Sequence, residues 1–216
     1  MFAADFDADI YTRFLDANFR RSGRLIYQPV CKGCRQCVSI RVPVNRFAPS
    51  KTQRRVLRRN SDLHLHVTSA VADHERFDLY RRYCQSWHKH DEAPTYLDFE
   101  RFLYDSPVES IDFSYRDAVG KLLAVGVCDV SSSALSSVYF YFDPDESKRS
   151  LGTLGAIREI EYAQQKKIPF YYLGYFVSGC DAMSYKASFR PFQKLGLDGE
   201  WRDADAGESP RSAQSR

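Results

Sequence analysis

Residues 170–191 have the sequence Phe170-Tyr-Tyr-Leu-Gly-Tyr-Phe-Val-Ser-Gly-Cys-Asp-Ala-Met-Ser-Tyr-Lys-Ala-Ser-Phe-Arg-Pro191. The aromatic run at 170–173 directly follows Pro169 and predicts a buried strand that breaks at Gly174. Polar and ionisable side chains then crowd together: Tyr175, Cys180, Asp181, Tyr185, Lys186 and Arg190. Because open α/β sheets bind ligands at the carboxyl ends of their strands, this segment predicts a ligand site. A final strand followed by a surface loop is the alternative.

The residues before this strand predict the sheet that it joins. Three successive strands are expected over 108–115, 122–130 and 136–142, and a helix follows at about residue 150. The predicted buried face of this helix consists of Leu154, Ile157, Ile160 and Ala163. Together these elements predict an α+β fold, in the order three antiparallel strands, a basic loop, a helix and a last strand.

The basic loop is Lys148-Arg-Ser-Leu-Gly-Thr-Leu-Gly155, and it leads into that helix. Gly152 and Gly155 leave backbone N–H groups free at the helix start, and such groups can hold a phosphate or the oxygen of an acyl group. Lys148 and Arg149 add positive charge at the same place. Glycine that only permits close packing of the helix is the alternative.

The length and the termini limit the class of protein. The chain has 216 residues, enough for one domain with a small appendage. No segment approaches the ~18 apolar residues of a membrane span. The start, Met1-Phe-Ala-Ala-Asp, lacks the basic and apolar regions of a secretory signal, so the sequence predicts a cytoplasmic protein without a membrane partner.

A second amphipathic helix is predicted over 9–18, with Ile10, Phe14 and Ala17 on its buried face. A third is predicted over 73–88, with Trp87 in its apolar stripe.

Positive charge is concentrated between Arg13 and Arg59, although the net charge is only +3. A short helix is predicted after Pro49, with Ser50 as its N-cap. At ~100° per residue its cationic side chains share one face that no carboxylate interrupts. The face consists of Lys51, Arg54, Arg55, Arg58 and Arg59. Such a stripe matches the phosphates of a nucleic-acid backbone, whereas a solvated helix face is the alternative.

Three cysteines, Cys31, Cys34 and Cys37, follow one another at intervals of three residues. Thiolates at this spacing suit a structural zinc ion or an iron–sulfur cluster, because soft sulfur ligands select those metals. A closed tetrahedral site needs a fourth ligand. The candidates are Cys84, Cys128, Cys180 and a histidine. Free thiols that stabilise a turn by packing are the alternative.

The strand–basic loop–helix–strand order resembles the GNAT acyltransferase fold, and two further segments narrow the resemblance. Phe19-Arg-Arg-Ser-Gly23, Tyr27-x-Pro29 and the three cysteines resemble the N-terminal domain of aminoacyl-tRNA–protein transferases. Tyr172-Leu-Gly174-Tyr175, Cys180, Met183-x-Tyr185-Lys186 and Phe189-x-Pro191 resemble their C-terminal signature. The match covers about Tyr11 to Trp201, and the bacterial aspartate/glutamate leucyltransferases are the most similar subgroup.

The resemblance implies a fold and a reaction. A small cysteine-containing N-terminal domain is expected over 1–60, a GNAT-like transferase domain over 61–201 and a disordered tail over 202–216. The reaction moves an aminoacyl group from the 3′ end of a charged tRNA to the α-amine of a protein that begins with Asp or Glu, which marks that protein for degradation. Leucine is favoured as the transferred residue and arginine stays open. Family members usually begin with an additional segment carrying a Pro-Cys-Ser-Tyr-Leu-type motif, so a metal ligand or part of the acceptor site is expected to be missing here.

The implied chemistry needs no cofactor, because the donor is already an activated ester. We expect the acidic first side chain of the acceptor to bind a cation. The candidates are Arg20, Arg21, Arg190 and Lys186, and Lys186 is favoured because Tyr185 and the strand end at Gly174 converge there. The two basic segments, 51–59 and 148–149, would hold tRNA phosphates.

The catalytic candidates are Lys186 and three tyrosines, Tyr172, Tyr175 and Tyr185. Proton transfer to the leaving ribose oxygen is expected to involve Tyr172 or Tyr175. Core packing with a satisfied hydroxyl group is the alternative for each. Two rival functions use the same features. One is an acetyl-CoA-dependent N-acetyltransferase that uses the glycine loop, and the other is a non-enzymatic RNA-binding module with a structural zinc knot.

Overall fold

The computed structural model describes residues 7–87 and 93–204, which contain both helices and strands. The helices are α1 (Ala8–Asp16), α2 (Lys51–Arg59), α3 (His74–Trp87), α4 (Tyr96–Phe99), α5 (Leu151–Gln165) and α6 (Asp181–Ser184). The strands are β1 (Arg20–Ser22), β2 (Leu25–Tyr27), β3 (Val38–Pro43), β4 (His64–Ser69), β5 (Ser110–Arg116), β6 (Leu122–Val130), β7 (Ala134–Phe142), β8 (Phe170–Phe176), β9 (Gln193–Leu195) and β10 (Trp201–Asp203).

Eight of these strands form one mixed sheet in the order β10-β9-β3-β8-β7-β6-β5-β4. Neighbouring strands are antiparallel except β7 and β8, which are parallel and are joined by α5 as the crossover helix. β1 and β2 form a separate hairpin. The predicted α+β class and the predicted order of three antiparallel strands, helix and last strand are confirmed.

β7 and β8 lie side by side only where they begin. Their parallel pairing runs from Ala134–Phe170 to Ser136–Tyr172. Just beyond it, β7 carries an irregularity opposite Val127 and Cys128, where Val138 has no partner in the register. The two strands therefore separate toward their carboxyl ends, and we call the gap between them the strand opening.

Hydrophobic cores lie on both faces of the sheet. On one face α5 buries Leu154, Ile157, Ile160 and Ala163, which confirms its predicted apolar stripe. On the other face α3 and the helical segment 96–104 form a second core with Leu122 and Tyr141. Successive side chains of a strand point to opposite faces, so β6 and β7 contribute to both cores.

The carboxylate of Asp129 on β6 connects the N-terminal elements α1 and β1 to the sheet through hydrogen bonds. Its oxygens accept hydrogen bonds from the hydroxyl of Tyr11 at 2.6 Å and from the hydroxyl of Ser110 at 2.7 Å. They also accept two bonds of 2.7 Å from Nε and Nη2 of Arg21. α1 and β1 are thereby joined to β5 and β6. In addition, β3 lies between β9 and β8, so the sheet crosses the boundary predicted at residue 60.

Several local expectations need correction. α1 buries Tyr11 and Leu15, whereas Ile10 on the predicted buried face is 46% exposed, because Tyr11 reaches the buried Asp129. Trp87 is 56% exposed, although it was predicted to lie in the apolar stripe of α3. β8 does not break at Gly174 but continues to Phe176.

The strand passes Gly174 because this residue has a φ of +81°, a conformation that glycine adopts without a steric penalty. At the chain end, β10 (Trp201–Asp203) includes residues 202 and 203, the first two of the expected tail. Residues 205–216 of that tail, and His88 at the expected end of α3, lie outside the described residues.

Candidate active site

The predicted convergence of Gly174, Tyr175 and Lys186 is present in the structure. The Lys186 Nζ atom donates a hydrogen bond of 2.7 Å to the backbone oxygen of Tyr175. A Cβ atom at Gly174 would lie 3.6 Å from that nitrogen. The amine of Lys186 thus lies against the strand end, in ordinary contact distance of Gly174, whose positive φ favours glycine.

Lys186 is short of compensating negative charge. Its side chain comes from the 3₁₀ turn Tyr185–Ser188 and is partly buried. Burial, followed by the positive charge of Arg20, lowers the pKa of Lys186 to about 8. No ion pair with a carboxylate is found for Lys186 in the described part of the chain. The amine is therefore a partly buried cation whose charge is lost just above neutral pH.

Arg20 is the second cation at this place. It is 6% exposed, and its guanidinium carbon lies 5.4 Å from the ring centroids of both Tyr172 and Tyr175. Its Nη1 atom donates to the backbone oxygens of Phe19, at 2.6 Å, and Leu15, at 3.3 Å. We call Arg20, Gly174, Tyr175 and Lys186 the acceptor cluster.

Arg21 does not belong to this cluster, which corrects its prediction as a substrate-binding residue. Strand alternation turns its side chain to the opposite face from Arg20, and there the carboxylate of Asp129 neutralises it. The ion pair is fully buried and raises the pKa of Arg21 against the effect of burial. Arg190 lies farther along the chain, with its guanidinium 5.4 Å from the ring centroid of Phe192.

The three predicted catalytic tyrosines occupy different environments. Tyr172 is fully buried, and its hydroxyl donates to Asp16 at 2.5 Å and accepts from Arg41 at 3.0 Å, which favours the packing alternative. The hydroxyl of Tyr175 donates to the backbone oxygen of Asn18 at 2.8 Å. Tyr185 is 46% exposed next to Lys186 in the sequence, so its ring is accessible from solvent.

A buried carboxyl group that the sequence analysis missed lies where β7 and β8 separate. Glu159 of α5 accepts a hydrogen bond of 2.5 Å from the hydroxyl of Tyr171 on β8 and a further one from Ser137 on β7. Burial raises its pKa. A Cβ atom at Gly126 would lie 2.3 Å from its Oε1 atom, so a side chain there would displace the carboxyl group of Glu159. Glu159 therefore links the two strands at the point where their backbone pairing ends.

The predicted basic face of α2 is confirmed as a surface. Lys51, Arg54, Arg55, Arg58 and Arg59 are all exposed, whereas Val56 is buried and Leu57 is half-buried. The helix begins with the predicted cap, and the side chains of Ser50 and Gln53 form a capping box. Its first turn contacts the 3₁₀ turn Tyr185–Ser188 through Gln53, whose amide donates a hydrogen bond of 3.2 Å to the backbone oxygen of Ser188.

The other end of α2 contacts the basic loop. Arg59 donates a bond of 2.5 Å to the backbone oxygen of Lys148, and Asn60 donates one of 2.9 Å to that of Arg149. The Arg149 guanidinium is paired with Asp62 and Glu146, so it contributes less free charge than predicted. The basic face therefore extends from the 3₁₀ turn Tyr185–Ser188 to the start of α5.

The two glycines of the loop differ in their surroundings. A Cβ atom at Gly152 would have no heavy atom within 4 Å, so this residue lies open at the start of α5. A Cβ atom at Gly155 would lie 2.1 Å from the ring of Phe140, so this residue has the packing role that the sequence left as the alternative. Only Gly152 keeps the surroundings expected of a binding glycine.

The predicted metal ligands lie in the loop between β2 and β3. Cys31, Cys34 and Cys37 are free thiols that line a cavity of about 710 Å³, together with Asn18 at the end of α1. In residues 7–87 and 93–204 no three metal-ligating side chains come together to hold an ion. The three thiols therefore do not form a closed set of metal ligands in this arrangement. Of the fourth-ligand candidates, Cys84 and Cys128 are buried in the cores of the sheet, away from this loop.

No helix in the described ranges combines the length and the apolar character that a membrane crossing requires.

Two family models match the chain. The model described as "Arginine-tRNA-protein transferase, C terminus" matches residues 75–196, and its counterpart for the N terminus matches residues 2–55. The first range contains the strand opening and Lys186, and the second contains Arg20 and the cysteines. The chain belongs to the bacterial aminoacyl-tRNA–protein transferase family, as its sequence motifs predicted.

Relatives with curated names show the subgroup of the family to which this chain is similar. The aspartate/glutamate leucyltransferase of Hahella chejuensis is 39% identical over 197 residues, which are 90% of this chain and 84% of that protein. The protein of the same name from Stenotrophomonas maltophilia (strain R551-3) is 40% identical over 206 residues, which cover 91% of this chain and 80% of the relative. The predicted subgroup is confirmed.

Solved structures show the same fold at low sequence identity. FemX superimposes with a TM-score of 0.53 at 10% identity, over 86% of this chain and 66% of its own. The structure of L-PGS from Bacillus licheniformis superimposes with a TM-score of 0.51 at 11% identity, over 80% of this chain and 51% of its own. The chain thus spans about half to two thirds of these structures, which share its fold.

Proposed function

We propose that this chain transfers a leucyl group from charged tRNA to the α-amine of proteins whose first residue is Asp or Glu, and thereby marks them for degradation. The observation that carries the proposal is the acceptor cluster, in which the buried Arg20 and the partly buried Lys186 are cations without a carboxylate partner in the described residues. A site with this charge favours an anionic side chain beside the reacting amine. A reaction that consumes charged tRNA would take place in the cytoplasm.

The chemistry is an exchange of an ester for an amide. The neutral α-amine of the acceptor attacks the ester carbonyl, a C–N bond forms, and the bond to the ribose 3′ oxygen breaks. The proton lost by the amine ends on that oxygen. An α-amine has a pKa of ~7.7–8.0, so a useful fraction is neutral near neutral pH, and positioning it against the ester can supply much of the rate.

Proton transfer is assigned in this proposal to Tyr185. Its ring is exposed beside Lys186, whereas the hydroxyl of Tyr172 is occupied by Asp16 and Arg41 and that of Tyr175 by Asn18. General acid–base groups must lie within hydrogen-bond reach of the proton that they move, which an exposed side chain can achieve once substrate is bound.

Leucine rather than arginine is supported by the surroundings of the strand opening. Phe140 and Phe142, on the part of β7 beyond its pairing with β8, are partly buried apolar side chains. The carboxyl of Glu159 is engaged by Tyr171, and its raised pKa favours the neutral form. An arginyl group would need an ionised carboxylate, whereas a leucyl group needs an apolar surface.

We propose that the basic face of α2, with Lys148 and the open turn at Gly152, binds the tRNA backbone. The face begins next to Ser188, two residues from Lys186, so a strand bound along it would be directed to the acceptor cluster. Contacts of this type are salt-dependent and do not read base identity. A GNAT-type sheet with a cysteine-containing N-terminal part is the proposed architecture.

An assay with two donors tests the function and its rivals. The purified chain is mixed with a peptide that begins with Asp and with tRNA that carries radiolabelled leucine or arginine. We expect label from leucyl-tRNA on the peptide. Label from neither tRNA, together with acetylation of the peptide from acetyl-CoA, would favour the acetyltransferase. RNA binding without any transfer would favour an RNA-binding module.

The metal hypothesis remains a separate proposal, and no step of the reaction depends on it. A zinc ion or iron–sulfur cluster would require residues 31–37 to close around it, because the thiols do not converge in the structure. Metal analysis of the purified parent and of a variant with Cys31, Cys34 and Cys37 changed to serine checks this. We expect metal in the parent alone; equal metal content in both proteins rejects the site.

A further inference from the structure

Two adjacent arginines on β1 show different uses of the same side-chain edge. Arg21 holds the two oxygens of Asp129 with Nε and Nη2, each at 2.7 Å. In Arg20 the same two atoms, Nε and Nη2, are buried and have no hydrogen-bond partner among residues 7–87 and 93–204. The planar fork formed by these atoms matches a carboxylate with two parallel bonds. Arg20 thus presents the carboxylate-binding edge that Arg21 uses, without the carboxylate.

The surroundings of Arg20 favour an anion as the missing partner. Lys186 is close enough for the charge of Arg20 to contribute to its lowered pKa, and the rings of Tyr172 and Tyr175 lie 5.4 Å from the guanidinium. Two buried or partly buried cations without a counter-charge are unfavourable, because desolvation of each ion is uncompensated. A carboxylate placed between them would satisfy both at once.

We infer that the Nε–Nη2 edge of Arg20 is the specificity-determining fork for the carboxylate of the acceptor's first residue, an inference that rests on the proposed function. Lys186 then supplies the second charge from the side of Gly174. An Asn or Gln side chain presents only one acceptor oxygen, and its NH₂ group would face the second N–H of the fork. The fork therefore selects Asp and Glu over their amides by geometry as well as by charge.

Binding measurements test this without relying on turnover. Calorimetric titration compares a peptide that begins with Asp and the same peptide with Asn, against the parent, Arg20→Lys and Arg20→Met. We expect the parent to prefer the Asp peptide by roughly 10- to 100-fold, as for hydrogen bonds to charged groups. Arg20→Met loses this preference, and Arg20→Lys, which keeps the charge but lacks the fork, loses most of it. An unchanged preference in Arg20→Met overturns the inference.

A second measurement uses the unaltered protein and covers the case in which the variants do not fold. The Nε–H resonance of Arg20, identified by its absence from the spectrum of Arg20→Lys or from sequential assignment, is followed by NMR during peptide addition. It is expected to shift with the Asp peptide and to stay in place with the Asn peptide. No shift with either peptide contradicts the fork.

The outcomes separate this inference from the proposed function. In one outcome the parent protein transfers leucine, but the Arg20 resonance does not shift and Arg20→Met keeps the preference for Asp. This outcome supports the function and rejects the fork. A parent that transfers nothing, yet binds the Asp peptide through Arg20, rejects the function and supports the fork.

Discussion

Replacing Lys186 by methionine is expected to raise KM for a peptide that begins with Asp by about 10- to 100-fold, the range expected when a charge-assisted hydrogen bond is removed. Methionine keeps most of the apolar stem and removes the ammonium group that lies against Tyr175 and Gly174. Because the leucyl donor binds elsewhere in this proposal, KM for leucyl-tRNA should stay within about 2-fold of the parent. Steady-state transfer kinetics with each substrate varied in turn measure both effects.

The same role of Lys186 predicts how kcat/KM for the Asp peptide changes with pH. The pKa of Lys186 is lowered to about 8, so its charge is present below pH 8 and is lost above it. The acceptor amine has the opposite requirement, since it reacts in its neutral form above ~7.7–8.0. For the Asp peptide, kcat/KM should therefore pass through a maximum near pH 8.

Lys186→Arg is the matched control, because arginine stays charged throughout this pH range. In that variant the decline of kcat/KM above pH 8 should disappear, while the rise below it remains. An alkaline decline of the same size in Lys186→Arg would show that another group causes it. A KM for the Asp peptide that Lys186→Met leaves unchanged would remove Lys186 from the acceptor site.

Changing Asp129 to asparagine is expected to lower the free energy of unfolding by about 3–5 kcal/mol, the cost of leaving a buried charge unpaired. The carboxylate is fully buried and accepts bonds from Tyr11, Ser110 and Arg21. An asparagine would present one NH₂ group to this set of donors and would leave the charge of Arg21 uncompensated. Urea unfolding followed by circular dichroism measures the change.

Asp78→Asn is the control for this measurement. Asp78 also pairs with an arginine, Arg81 at 3.3 Å, but both side chains are about half exposed. Exposed pairs of this kind contribute less than about 1 kcal/mol. If the two variants unfold at the same urea concentration, the proposed role of Asp129 as the anchor of the N-terminal elements is wrong.

Local patterns were sufficient for most of the fold. The stripe of α5 from Leu154 to Ala163 follows from its 3.6-residue period, and the cap of α2 follows from Ser50 and Gln53. The error at Gly174 arose because a glycine in a strand sequence has two meanings, a strand end or a residue with positive φ inside the strand. The antiparallel pairing with β3, in which Ile40 lies opposite Gly174, supplied the context that the sequence lacks.

The site was predictable only where its parts are close in sequence. Lys186 lies twelve residues after Gly174, and their convergence was expected. Arg20 and Arg21 are neighbours of the same type, and their separate roles depend on Asp129, more than a hundred residues away. Glu159 was missed because it lies beside the apolar stripe of α5; Gly155, one helical turn earlier, was the signal that this face is also buried.

The central claim, that the acceptor cluster directs a leucyl group to one particular amine, is tested most directly by locating the product bond. An acceptor peptide that begins with Asp and contains an internal lysine is incubated with the chain and leucyl-tRNA, and the product is sequenced by tandem mass spectrometry. The account predicts leucine in amide linkage on the N-terminal α-amine alone, and roughly 10- to 100-fold less product from the matching Asn peptide under the same conditions. Leucine on the lysine side chain, or equal modification of the Asp and Asn peptides, would contradict it.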